Sequence, residues 1–223
     1  MKLWHKEWMV SGPLRKISLE RSRRISQTLR ILIGLMAGVL LLHGTGRAVE
    51  ANSPTEAVKA TIEEAIHVLS DETIKHPERA QERREVLEKI VGQRFSYEEM
   101  AKRTLGMHWR KLSQAEKTEF VTLFQRFLSN SYAGKIDGYA GEQVQYLGER
   151  IKGNFAEVRT KVVSDKLEIP LDYRLLKNSD NWRVYDVIVD GISLVKNYRG
   201  QFARIIKSSS YKGLIEKLRS KVE

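Results

Sequence analysis

A change of period inside one continuous stretch constrains this chain more than any other feature. Residues 182–206 read WRVYDVIVDGISLVKNYRGQFARII. From Trp182 to Val189, β-branched and aromatic residues dominate, which is the composition of a strand. Val184, Val187, Ile188 and Val189 do not alternate cleanly, so the strand meets apolar neighbours on both faces. Asp190-Gly191 then breaks it. Beyond the break Ile192, Val195, Tyr198, Phe202, Ile205 and Ile206 recur at the spacing of one helix face, with Lys196, Arg199 and Arg204 turned outward. A buried strand must run through a tight corner into an amphipathic helix, so a sheet and a helical layer share one core.

Upstream of this stretch lie three further extended runs, Gln143 to Lys152, Phe155 to Ser164 and Leu167 to Lys177. Their separators, Gly153-Asn154, Asp165-Lys166 and Asn178-Ser179-Asp180, are hairpin chemistry. In the second run Ala156, Val158, Thr160 and Val162 alternate with Glu157, Arg159 and Lys161, so one sheet face is wet. In the third, Ile169, Leu171, Tyr173 and Leu175 alternate with Pro170, Asp172 and Arg174, and Pro170 predicts an edge strand or a bulge.

The first half reads as helices announced by their caps. Ser53-Pro54-Thr55-Glu56 supplies a Ser cap, Pro at the first helical position and Glu at the third. A charged helix follows from about Pro77 to Val91. Ser96 with Glu99 and Ser113 with Glu116 make two more capping boxes, the former with Phe95 placed to staple onto Met100. Gly106 ends the first of these two helices. In the second, Phe120, Leu123, Phe124, Phe127, Leu128 and Tyr132 form a wide aromatic stripe to about Tyr132, and Ser208-Ser209-Ser210 separates a short terminal helix. The fold class is α+β: N-terminal helices, a curved antiparallel four-stranded meander and closing C-terminal helices, with the helices on one sheet face.

The N-terminus bears on compartment. Residues 1–30 are strongly basic, and an apolar run of twelve, Ile31 to Leu42, follows. Spanning a bilayer takes about 20 such residues, and a run of this length is typical of the core of a secretory signal peptide. Gly46-Arg47-Ala48 and Val49-Glu50-Ala51 are small-x-small cleavage sites. The domain plan is a leader over 1–48 and a single monomeric domain over 49–223, the alternative being an uncleaved anchor. Residues 1–48 hold nine of the 39 Lys/Arg and two of the 28 Asp/Glu, which leaves 30 against 26 in the rest. Most of the +11 net charge therefore sits in the leader, and the basic balance does not argue for nucleic-acid binding. The absence of cysteine excludes disulfides, thiolate catalysis and Cys-ligated metals.

Chemistry is sparse. His67, His76 and His108 show no metal-ligand spacing, no serine lies in a nucleophile elbow, and there is no phosphate-binding glycine loop. Neither catalytic residue, metal nor cofactor is expected. Asp172, Asp186 and Asp190 remain as acid–base candidates for a cone-shaped isomerase-type enzyme, although Asp190 also suits the N-cap of the last long helix. His108-Trp109-Arg110 reads as core packing at a helix corner.

Residues 95–136 (FSYEEMAKRTLGMHWRKLSQAEKTEFVTLFQRFLSNSYAGKI), the meander and residues 182–206 together resemble the MlaC family, the toluene-tolerance auxiliary component of ABC transporters. The charge-rich 71–85 region and long basic leader depart from the usual pattern and look similar to relatives linked to hopanoid lipid gene clusters. The resemblance implies a cone of curved sheet and helices, similar to the nuclear-transport-factor and cystatin-like shape, around a pocket for acyl chains. It also implies a periplasmic phospholipid carrier that shuttles between an outer-membrane lipoprotein–porin complex and an inner-membrane ABC transporter, maintaining outer-membrane lipid asymmetry. A lipid-free adaptor is the other non-enzymatic reading. From the inward faces of the elements, Met100, Phe124, Phe127, Val158, Leu171, Tyr173, Val187, Ile192 and Tyr198 are the candidate lipid-binding residues. Lys196, Arg199, Arg204 and Lys207 form either an ordinary wet face or one that steers docking onto acidic transporter surfaces.

Overall fold

A computed structural model describes residues 53–136, 139–164, 167–179 and 181–222. The expected leader and its cleavage after Ala48 or Ala51 fall outside them. Residues 52–223 form one compact unit.

Helix α1 (Pro54–Ser70) begins as its cap predicts: the Ser53 hydroxyl accepts the Glu56 N–H at 3.1 Å. A four-residue helix α2 (Glu72–Lys75) is capped by Asp71 through the Thr73 N–H at 2.8 Å. The charged helix starts later than expected. Pro77–Arg79 is a 3₁₀ turn, and α3 (Ala80–Arg94) follows. Val68, Leu87 and Ile90, with Ala65, Leu69 and Val86, zip α1 to α3 in a small core of their own.

Ser96 precedes α4 (Tyr97–Leu105), but its hydroxyl makes no cap, and Glu99 pairs with Lys102 and Arg103 instead. A tertiary demand overrides the local signal. Phe95 makes a parallel bridge to Val184, and the Ser96 N–H donates to the Val184 carbonyl at 2.8 Å, which pulls the segment onto a sheet edge. Phe95 stacks its ring on Tyr97 at 6.1 Å. Gly106 (φ +56) ends α4, and a 3₁₀ turn (Gly106–Lys111) buries Trp109. The next capping box closes in both directions: the Ser113 N–H donates to Glu116 at 2.8 Å, and the Glu116 N–H donates to the Ser113 hydroxyl at 3.2 Å. It opens α5 (Gln114–Ile136), which runs four residues past the expected end.

The sheet holds β1 (Gln143–Lys152), β2 (Phe155–Ser164), β3 (Leu167–Asn178), β4 (Asn181–Val189) and β5 (Ile192–Ser193), all antiparallel and in sequence order. The expected meander of four strands gains this fifth, two-residue strand. Asp190 (φ +49) and Gly191 (φ +80) both take the positive φ that a two-residue hairpin favours, so Ile192 returns to pair with Val189 instead of opening the helix. Irregular pairing between Tyr146 and Gly148 in β1, and beside Arg174 and Leu175 where β3 meets β4, bends the sheet. Pro170 lies in a central strand rather than at an edge. It is tolerated because the ladder with β4 ends at Leu171–Val189, and its carbonyl accepts the Asp190 N–H at 2.9 Å.

Helix α6 (Leu194–Val222) closes the domain and breaks at Ser210 (φ +66), within the expected serine run. It packs on α4, α5 and β4. Among the described residues no helix is long and apolar enough to cross a membrane.

Candidate functional site

Strand alternation and register define two sheet faces. On one, Val158 lies opposite Tyr173, which lies opposite Val187; Ala156 lies opposite Leu175, which lies opposite Val184. Ala156, Val158, Leu175, Val184, Val187 and Val189 are buried. The same face continues through Val144, Tyr146, Val162, Ile169, Leu171 and Tyr173, all half-buried. The apolar face is thus buried across β2–β4 at one end and half-open at the other, while Ile151, opposite Ala156 on the edge strand, is exposed.

Helix α1 lies along this face. The Thr55 N–H and hydroxyl both donate to one Glu149 oxygen, at 2.8 and 2.6 Å, and tie the start of α1 to β1. Burial, reinforced by Glu63 and Glu56, pushes the Tyr146 phenol up to about 12. Burial also raises the Tyr173 phenol, with Tyr146 as the next cause, so these neighbouring rings stay neutral at any physiological pH. Thr160 is fully buried on this face, yet its hydroxyl is held by the Leu171 carbonyl. The open end therefore presents hydrocarbon and two neutral phenols, a surface suited to an apolar ligand and not to a charged one.

The nine predicted site residues divide. Val158, Leu171, Tyr173 and Val187 come together on the apolar sheet face. Met100, Phe124, Phe127 and Tyr198 belong to a helical core where α4, α5 and α6 meet. There Tyr198 meets Phe124 at 5.9 Å and Phe127 at 5.5 Å, both edge to face, and Phe202 meets Phe120 at 5.8 Å and Phe124 at 5.7 Å. The width of the aromatic stripe reflects two helix partners. Ile192, expected on the inward helix face, sits in β5 at 37% exposure.

The acid–base candidates are engaged in holding backbone. Asp186, at 3% exposure, accepts the Val195 N–H at 3.0 Å and the Ser193 hydroxyl at 2.6 Å, with Arg174 at 3.5 Å. It caps α6, the role expected of Asp190, which the turn takes instead. Asp172 accepts the Thr160 N–H at 3.4 Å, and burial raises its carboxyl above the usual value. Among the described residues no cluster of His, Asp and Glu could hold a metal. Sequence reasoning missed the Glu149–Thr55 tie and the structural role of Asp186. For Asp186 a signal existed: one carboxylate inside an otherwise apolar run.

The profile of the MlaC protein family matches residues 59–220. The chain belongs to the MlaC family. The matched span begins inside α1 and takes in every strand and most of α6. Among relatives of this MlaC-family chain, the intermembrane phospholipid transport system binding protein MlaC of Haemophilus influenzae is 22% identical over 122 residues. That match covers 52% of this chain and 57% of the relative, so it spans little more than half of that protein. Toluene tolerance protein ttg2D of Pseudomonas putida is 26% identical over 182 residues, covering 80% and 82%. A phospholipid-binding protein from Ralstonia solanacearum, solved in complex with a phospholipid, superposes with a TM-score of 0.67. It is 22% identical and covers 74% of this chain and 94% of its own, which establishes a shared fold.

Proposed function

We propose that this MlaC-family chain is a phospholipid-binding transport protein that holds acyl chains against the half-open sheet face. The observation that carries the reading is that face itself: Leu171 and Tyr173 stay half-buried above fully buried Val158, and the Thr160 hydroxyl nearby is already paired. Each methylene moved from water into such a site gains about 0.8 kcal/mol, so a two-chain lipid needs a carrier to cross an aqueous gap. The Ralstonia solanacearum protein of the same fold, solved with a phospholipid, supports the ligand class. The name of the Haemophilus influenzae relative supports a place in a lipid transport system.

On this reading the leader directs export to the periplasm and is cleaved there. The carrier exchanges lipid with an outer-membrane lipoprotein–porin complex and an inner-membrane ABC transporter, without catalysis. Val158 and Val187 floor the site, and Leu171 and Tyr173 contact the cargo. Mass spectrometry of the protein purified from the periplasm under native conditions, followed by lipid extraction, tests this. A stoichiometric diacyl phospholipid is expected; a lipid-free protein, or a hopanoid as sole cargo, would overturn it.

A further inference from the structure

The first segment of α6 carries a charge distribution that the lipid-holding face does not use. Residues 194–210 contain Lys196, Arg199, Arg204 and Lys207 and no Asp or Glu. All four side chains are exposed on the side opposite buried Val195, Tyr198, Phe202 and Ile205, so they share one arc of the helix. No carboxylate among the described residues pairs with any of them. Elsewhere surface cations do find partners: Arg79 with Glu82, Arg103 with Glu99, Lys161 with Glu168 and Arg219 with Glu119. The array is about 16 Å long at 1.5 Å per residue, about two screening lengths at physiological salt, so successive cations reinforce one another along one face.

Two further features bear on the partner. Exposed Gly200 and Ala203 lie between the cations, so this arc carries none of the large aromatic or apolar anchors that dominate protein interfaces. Arg199 lays its guanidinium over the Gly106 turn, so close that a Cβ there would meet it at 3.2 Å. The next residue, Met107, is 78% exposed. A ridge of unpaired cations beside an exposed, flexible apolar side chain matches the anionic, hydrocarbon-backed surface of a phospholipid bilayer.

We propose that the Lys196–Lys207 face of α6, with Met107 at its end, adsorbs this protein reversibly to anionic phospholipid membranes. Each Lys or Arg held at such a surface strengthens partitioning about fivefold, so the four together reach several hundredfold while remaining sensitive to salt. This docking surface is separate from the cargo site and does not depend on what that site holds.

The test compares residues 52–223, the compact unit that carries the ridge, with their K196E/R199E/R204E/K207E variant, because the leader's nine Lys/Arg and apolar run would bind vesicles by themselves. Each is sedimented with vesicles of phosphatidylcholine alone and of phosphatidylcholine containing about one-third phosphatidylglycerol. The wild type is expected to favour the anionic vesicles, by a margin that salt removes, and the variant to lose at least about a hundredfold of that binding. Should the fourfold variant not fold, R204E/K207E, remote from the Gly106 turn, is expected to lose about 25-fold. Equal wild-type partitioning on the two vesicle types, or equal binding of wild type and variant to the anionic ones, would overturn the proposal and leave the ridge to an acidic protein.

Discussion

Asp186 on β4 accepts the backbone N–H of Val195 at 3.0 Å, so a strand residue caps the helix that begins eight positions later. The bond turns the strand–helix corner into a fixed joint, because the same carboxylate also takes the Ser193 hydroxyl and Arg174. Asp186→Ala should lower stability by about 2–3 kcal/mol, the sum expected from losing a cap and a buried charged acceptor. Urea unfolding measures it. A loss below about 0.5 kcal/mol would mean that the joint is held by packing alone.

Much of the fold is legible in the sequence because its cues are local. Ser53 and Ser113 cap through residues three positions on, and the hairpin separators act within two or three. Ser96 misleads because the β4 edge, far along the chain, claims its backbone. β5 is invisible at two residues. The candidate site is legible in part: alternation places Val158, Leu171, Tyr173 and Val187 on one face correctly. Periodicity says that Phe124, Phe127 and Tyr198 are buried, not what buries them, and the answer is one another.

Gly213 should resist replacement. Alanine for glycine inside a helix ordinarily gains up to about 1 kcal/mol. Here the new Cβ would lie 2.8 Å from the Ser209 Cβ, because the backbone folds back on itself at Ser210. Gly213→Ala should therefore destabilise, by about 1–2 kcal/mol. Adding Ser209→Gly should recover part of the loss, and strictly additive losses in thermal melts would count against the clash.

Asp172 makes stability depend on pH. Burial raises its carboxyl above the usual 3.8, so the folded state holds the proton more tightly than the unfolded chain. The stability this contributes is present below 3.8 and is lost as pH rises through the folded value. Asp172→Asn, which keeps an acceptor for the Thr160 N–H, should raise the urea midpoint at pH 7, and the gain should fade in acid. A variant less stable than wild type at pH 7 would contradict the sign.

Val158 and Leu171 should behave differently although both point to the same side of the sheet. Val158 is fully buried in the floor of the site, so Val158→Ala should cost about 2 kcal/mol and lower bound lipid only slightly. Leu171 is half-buried at the open end, so Leu171→Asp should fold and lose its lipid. Lipid quantified per folded protein decides between them, and equal lipid content in both variants would make Leu171 ordinary core.

The central claim is that acyl chains lie on the open sheet face and not in the helical core. A phospholipid with a photoreactive acyl chain, loaded into the protein, irradiated and mapped by peptide mass spectrometry, tests it most directly. Labels on Tyr146, Ile169, Leu171 and Tyr173 are the predicted result. Labels confined to Phe124, Phe127 and Tyr198, or to the surface of α6, would contradict it.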